Sequence, residues 1–270
     1  MIGLGEAAGR LGVHYMTVYR YVRTGRLPAV KRAGEWWVEE ADVDHLRRAP
    51  RAAPRRGARR SWATDRMAGR LLAGDEIGAW TVAESALASG ASPADVHVEL
   101  LSPALRAIGE RWAAGEIGVG DEHRASVVAR RVVNRLGPRF SRPGRKRGVV
   151  VIGAVAGERH EIPGAMVADQ LRGSGFEVAE LGADTPAESF AAAATLLQPL
   201  CVLVSVTGIG HEDAVAATVD ALRAVRGAPP VLVGGAAVPD EEAAAAIGSA
   251  LWTGSDARQV VAAVESLLPS

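Results

Sequence analysis

The sequence predicts a multidomain chain of α plus α/β class: a winged helix-turn-helix domain, a four-helix bundle, and a doubly wound, flavodoxin-like parallel α/β domain. Three observations carry the prediction. The C-terminal part alternates continuous Val/Ile-rich runs with Ala-rich helical stretches. Residues 61–138 hold helical periodicity with almost no β-branched runs, and residues 1–48 pattern as short helices followed by a basic turn beside two tryptophans.

The C-terminal region, residues 148–270, is the easiest to justify. Its apolar runs are GVVVIGAV (148–155), FEVAELGA (176–183), LCVLVSV (200–206), PVLVGGA (230–236) and ALW (250–252), with helical stretches near 164–173, 186–197, 212–226, 239–246 and 256–268. Strands without polar alternation are those buried on both faces, as in a parallel sheet covered by helices. Such sheets bind ligands beyond the carboxyl ends of their strands.

Residues 61–138 read as four helices. Ser92-Pro93 opens one of them, with Ser as N-cap and Pro at the first helical position, running to about Ala114. The next starts near Gly120 and stops at Gly137-Pro138. Ahead of the bundle, residues 49–60 (APRAAPRRGARR) hold only Ala, Pro, Gly and Arg and read as a basic linker.

In residues 1–48 apolar positions Ala8, Leu11, Val13, Val18 and Val22 outline two helices with a turn at Leu11-Gly12-Val13. The second, about 15–23, is expected to present Tyr15, Met16, Thr17, Arg20 and Arg23 outward. A helix of this size fits the major groove and reads base edges from its N-terminal residues. Lys31-Arg32-Ala33-Gly34-Glu35-Trp36-Trp37 reads as a hairpin or wing with Lys31 and Arg32 toward DNA and a tryptophan packing it down.

Composition agrees. With 48% hydrophobic and 23% charged residues the chain is globular rather than disordered. No apolar run approaches the ~20 residues that span a bilayer, MIGLGEAAGR lacks a signal-peptide layout, and the single cysteine, Cys201, excludes an intramolecular disulfide. The expectation is a cytoplasmic protein without a membrane partner. The zero net charge conceals an asymmetry: residues 1–60 carry 13 Lys/Arg against 6 Asp/Glu, a net +7, balanced by −7 in the remainder. A basic head on a mildly acidic body points to a polyanion at one end.

Candidate ligand residues follow the strands. Glu158, His160 and Gly164 occupy the loop after the first strand of the α/β region; Ser205 and Thr207 end the third; Gly234 and Gly235 end the fourth. A neutral imidazole is a good transition-metal ligand, and Glu158 can orient its second nitrogen. Glycines at a strand end let backbone approach a flat or extended group closely. Ser205 and His211 do not form a hydrolase, because no Gly-x-Ser-x-Gly elbow surrounds Ser205; the chain is not expected to be an enzyme.

Residues 1–48 resemble the MerR/excisionase-type winged helix-turn-helix. Glu158, His160, Ser205, Thr207, Gly234 and Gly235 resemble the cobalamin-binding motif Asp-x-His-x-x-Gly, Ser-x-Leu or Ser-x-Thr, Gly-Gly, with Glu for Asp and Pro163 where the Gly is expected. Trp112, Val119, Glu122 and His123 are similar to the Trp-x9-Glu-His signature of CarH/LitR-type light-sensing regulators. The resemblance implies that cobalamin, as adenosylcobalamin or methylcobalamin, takes His160 as its lower cobalt ligand. Its nucleotide tail would lie in a slot lined by Ser205, Thr207, Gly234 and Gly235, and the bundle would place Trp112 over its upper face. It implies a MerR-like transcription regulator, a repressor of double-stranded operator DNA, working as a dimer or tetramer. In that family a His following the Trp takes cobalt after light cleaves the Co–C bond; here that position is Ala113, which cannot coordinate a metal. Two alternatives stand beside the photoreceptor: a light-insensitive cobalamin sensor, and a corrinoid carrier for a methyltransferase.

Overall fold

A computed structural model describes residues 1–23, 27–32, 34–48, 62–247, 251–254 and 256–268, with the side chains of Arg20, Arg23, Arg48 and Trp62 left out. The linker 49–60 therefore lies outside the described residues. The chain divides into two compact units, one of residues 1–85 with 99–129 and one of residues 86–98 with 130–270.

In the first unit, β1 (Ile2–Gly3) leads into α1 (Leu4–Leu11) and α2 (Tyr15–Arg23). Gly12, at φ 65°, closes α1 in the left-handed conformation that a glycine adopts without strain, and its N–H bonds Ala8 and Gly9 carbonyls. Strands β2 (Ala29–Arg32) and β3 (Glu35–Val38) form the expected antiparallel hairpin, and β1 adds to β3, giving the order β1-β3-β2. Ile2, Leu4, Ala7, Val18, Val22, Leu27, Val38 and Val43 make its core, with Val43 supplied by α3 (Glu40–Arg48). Trp36 packs against that core, which fixes the wing to the helices as predicted.

The bundle helices are α4 (Trp62–Leu72), α5 (Glu76–Ala88), α6 (Pro93–Asp95), α7 (Ser102–Ala113) and α8 (Val119–Leu136). Ser92 caps α6 as the sequence predicts, in a reciprocal box with Asp95. The expected continuous helix from Ser92 to Ala114 is instead widened into a π-helical stretch over Val96–Leu101. His97, within that stretch, is completely buried.

The second unit holds a five-stranded parallel sheet in the order β5-β4-β6-β7-β8. The strands are β4 (Val149–Val155), β5 (Glu177–Thr185), β6 (Cys201–Ser205), β7 (Val231–Gly234) and β8 (Leu251–Trp252). Their helices are α9 (Ile162–Gly173), α10 (Ala187–Leu197), α11 (Glu212–Arg223), α12 (Glu241–Ala246) and α13 (Ala257–Glu265). One core lies under α10 and α11, with Val151, Val155, Phe190, Val202, Val204 and Val219; the other lies under α9 and α13, with Val150, Ile152, Leu171, Phe176, Leu203 and Val264. Two apolar layers on one sheet explain why β4, β6 and β7 carry no polar alternation, whereas β5, at the edge of the sheet, exposes Glu177, Glu180 and Asp184. Strand order reverses between β4 and β6, where the chain turns from one edge to the other, and that switch point is where ligands bind in open α/β sheets.

Candidate functional site

The loop after β4 is built around one buried carboxylate. Glu158 is 1% exposed. Its Oε1 accepts from His160 Nδ1 at 2.5 Å and from the His160 backbone N–H at 2.9 Å. Its Oε2 accepts from the N–H groups of Thr207 at 2.8 Å and Gly208 at 2.6 Å, in the loop after β6. One side chain therefore ties together two loops that leave adjacent strands. Burial by itself pushes this carboxyl upward, but the hydrogen bonds from the His160 ring, Gly208 and the His160 backbone outweigh it and hold the group at about 2. An ionised oxygen can only accept, so Nδ1 carries the proton, and in the neutral ring that tautomer places the lone pair on Nε2. This is the orientation a metal-ligating imidazole requires.

The loop is anchored on its other side by the end of β5. Asp184 accepts from Gly157 N–H at 2.6 Å, and its own N–H donates to the Glu158 carbonyl at 2.8 Å. Asp184 sits at φ 51°, a conformation Asp tolerates better than most residues. Asp184 was not singled out from the sequence, and Gly208 was read there only as a glycine that lets backbone approach a ligand, not as a donor to Glu158. Asp-Thr at a strand end is a faint turn signal, whereas the role of a backbone N–H 50 residues from its acceptor has no sequence signal.

A cavity of about 380 Å³ opens at the carboxyl ends of β4 and β6. Gly153, His160 and Ser205 line one side, and Arg130, Arg131 and Asn134 of α8 line another. Arg130 pairs with Glu161 at 2.9 Å. His160 and Ser205, both singled out from the sequence, are thus brought to one cavity. Thr207, outside the lining of that cavity, has a buried hydroxyl with no hydrogen-bond partner among the described residues, a group whose burial costs about 1–3 kcal/mol.

Gly234 and Gly235 have a different reason from the one expected. A Cβ at Gly234 would meet the Thr253 hydroxyl, and one at Gly235, where φ is 123°, would meet the Val206 carbonyl. The protein's own chain already fills the space beside both glycines. Close packing of the β7 loop, rather than ligand approach alone, excludes a side chain there.

The signature residues of the bundle belong to the first unit. Trp112 is half-buried with its ring centroid 5.5 Å from that of His14. Glu122 accepts from the Ser126 hydroxyl at 2.7 Å, Val119 is 57% exposed, and the His123 side chain is 73% exposed, 3.8 Å from Glu122. In the helix-turn-helix region, Tyr15 is 46% exposed and Lys31 and Arg32 are exposed. Arg20 and Arg23 side chains lie outside the described residues. Thr17 corrects the prediction. It is 4% exposed, and its hydroxyl donates to the Ala113 carbonyl. Met16 is half-buried rather than outward. Apolar periodicity marks which side of a helix faces its own domain, and it is blind to a second element covering the other side.

An imidazole oriented by a buried carboxylate, placed at the switch point of a parallel α/β sheet, defines a domain that presents a nitrogen ligand to a bound group. Family models give that group its identity. Residues 63–136 and residues 148–262 each match a B12 binding domain, and residues 1–50 match a helix-turn-helix domain. The chain is a cobalamin-binding protein. It is 27% identical over 201 residues to trimethylamine corrinoid protein 1 of Methanosarcina mazei, covering 72% of this chain and 91% of that one. It is 33% identical over 153 residues to the HTH-type transcriptional repressor CarH of Myxococcus xanthus, covering 56% of this chain and 50% of that one. The fold is that of the Methanosarcina barkeri monomethylamine corrinoid protein, with a TM-score of 0.64 at 21% identity, over 76% of this chain and 98% of that chain. The donors fit the cofactor: the His160 imidazole is held through Nδ1 by a buried carboxylate, and Thr207 has a buried hydroxyl with no partner among the described residues. Among the described residues no helix is long and apolar enough to cross a membrane.

Proposed function

We propose that this protein is a cobalamin-responsive, DNA-binding transcription regulator, with residues 1–48 as the DNA-reading head, 61–138 as the cap and 148–270 as the cofactor domain. The observation that carries this reading is the presence of a helix-turn-helix match and two B12-binding matches on one chain. The +7 charge of residues 1–60 and the exposed Lys31 and Arg32 support contact with phosphates.

In this reading His160 supplies the lower ligand to cobalt, with Glu158 holding the ring. Ser205, Thr207, Gly234 and Gly235 border the nucleotide tail, and Trp112, Val119, Glu122 and His123 serve the upper face, where the adenosyl or methyl group is carried. Cobalamin supplies a cobalt-bound alkyl group whose loss or replacement is the signal. The chain acts as a homo-oligomer repressor, because joining several weak heads raises avidity by roughly 10²–10⁴ without a new contact. We favour the ligand itself over light as the stimulus, since Ala113 stands where the CarH/LitR-type resemblance expects the histidine that takes cobalt after illumination.

The test is a visible spectrum with adenosylcobalamin and methylcobalamin, paired with a gel shift on duplex DNA from upstream of its own gene. Wild type is expected to give a spectrum with histidine on cobalt, and His160→Ala to lose that spectrum and at least about tenfold in affinity. No shift of DNA in either ligand state would defeat the regulator.

A second reading has its own support. Trimethylamine corrinoid protein 1 of Methanosarcina mazei matches more of this chain than the repressor does, 72% against 56%. A corrinoid carrier for a methyltransferase would bind cobalamin through the same residues and leave the head without a duty on DNA. Methyl transfer from the loaded protein to an added thiol acceptor, catalysed by a partner methyltransferase, favours the carrier. Irradiation followed by mass and absorbance separates a light-insensitive sensor from a photoreceptor.

A further inference from the structure

Within the first unit, the start of α2 is covered by the end of α7. His14 accepts from the Met16 N–H at 3.3 Å through Nδ1, so its ring caps α2, and the same ring lies tilted by 42° against Trp112 with centroids 5.5 Å apart. Three residues later the Thr17 hydroxyl donates to the carbonyl of Ala113, the residue after Trp112. Thr17 is left 4% exposed. A reading helix meets base edges with its N-terminal residues. With Thr17 under Ala113 and His14 against Trp112, those residues are engaged by the protein itself.

We propose that the head is autoinhibited by this contact: the N-terminal end of α2 docks on the Trp112–Ala113 corner of α7, DNA and the corner compete for the same side chains, and cobalamin releases the head by drawing on Trp112. The last step rests on the assignment of Trp112 to the cofactor in the function proposed above; the docking itself does not. A head that is open only part of the time binds DNA more weakly in proportion to the closed fraction, so whatever shifts the Trp112 ring away from His14 raises operator affinity. The residue that the CarH/LitR-type resemblance assigns to the cofactor is thereby the same residue that holds the reading helix.

The test uses thiol labelling in the full chain. Cys201 is the one native cysteine, fully buried in β6, with its thiol pushed up to about 12 by burial, so a maleimide dye reports on an introduced cysteine. In ligand-free protein, Thr17→Cys is expected to label at least about tenfold more slowly than the exposed control Tyr15→Cys. Adenosylcobalamin added in the dark, with binding followed by its visible spectrum, should bring the two rates within about twofold. Equal rates without ligand overturn the docking. A spectrum that reports bound cobalamin while position 17 stays protected overturns the coupling and leaves the cofactor reading intact. A spectrum that reports no binding defeats the cofactor assignment of Trp112 and with it the release step, while the ligand-free rates still judge the docking. A second variant does not depend on position 17: ligand-free Trp112→Ala should bind duplex DNA from upstream of its own gene at least about fivefold more tightly than wild type. Unchanged or weaker binding removes Trp112 as the latch.

Discussion

Glu158 and Asp169 are both carboxylates walled into the second unit, at 1% and 6% exposure, and they titrate in opposite directions. Glu158 lies among four N–H donors and is held at about 2. Asp169, on α9, has a weak pairing with Arg172 at 3.4 Å, Glu180 nearby and the buried His97 ring at 4.0 Å, and burial pushes it up to about 6. His97 itself is pushed down to about 4 by burial, with a backbone hydrogen bond to Met166 opposing the shift. Burial by itself raises a carboxyl; donors aimed at both oxygens reverse the sign. The difference separates a carboxylate built to stay ionised and orient an imidazole from one that is merely enclosed.

The largest test breaks the first member of the pair. Glu158→Gln keeps the shape but turns an acceptor into an amide whose NH2 faces backbone donors. It should cost about 3 kcal/mol of stability at pH 7 and weaken cobalamin binding about 10- to 100-fold, read by thermal unfolding and by spectral titration. The pH dependence follows from the depressed value. The contribution of Glu158 is complete above its unfolded value near 4.5 and disappears as the pH falls toward 2, so the variant should lose less stability than wild type across that window.

The second member should respond with the opposite sign. Asp169 is raised, so the stability it lends is full below its unfolded value near 3.8 and lost as pH climbs through 6. Asp169→Asn is expected to match wild type near pH 4 and to exceed it by about 1–2 kcal/mol at pH 8, measured by urea unfolding. A loss at pH 8 would mean that the Arg172 pairing outweighs the burial of charge. The smallest effect belongs to Thr207→Val. Removing a buried hydroxyl that has no partner among the described residues should raise ligand-free stability by about 1 kcal/mol, while cobalamin affinity falls about fivefold.

Much of this architecture was legible in sequence. The strand runs at 148–155, 176–183, 200–206 and 230–236 became β4 to β7 within about two residues at their ends; β4, β6 and β7 are buried on both faces and read as unbroken apolar runs, while the edge strand β5 alternates. Glu158 and His160 were legible for a similar reason: two chemically capable residues stood two positions apart after the first strand. What pattern could not reveal was any role assigned by a distant segment. The N–H groups of Thr207 and Gly208 on Glu158, Thr253 beside Gly234, and Ala113 over Thr17 all join positions at least 19 residues apart in sequence. The π stretch at Val96–Leu101 was hidden for a different reason. VHVELL has the apolar spacing of an ordinary helix, and a widened turn is set by what the side chains meet in the core.

The carboxylate that joins the loops after β4 and β6 ties the imidazole and two backbone N–H groups into one assembly. In the cobalamin site proposed above, a shift of the imidazole would be passed through Glu158 to the N–H groups of Thr207 and Gly208. Corrinoids of different lower structure would therefore be distinguished by how far they tilt one rigid assembly.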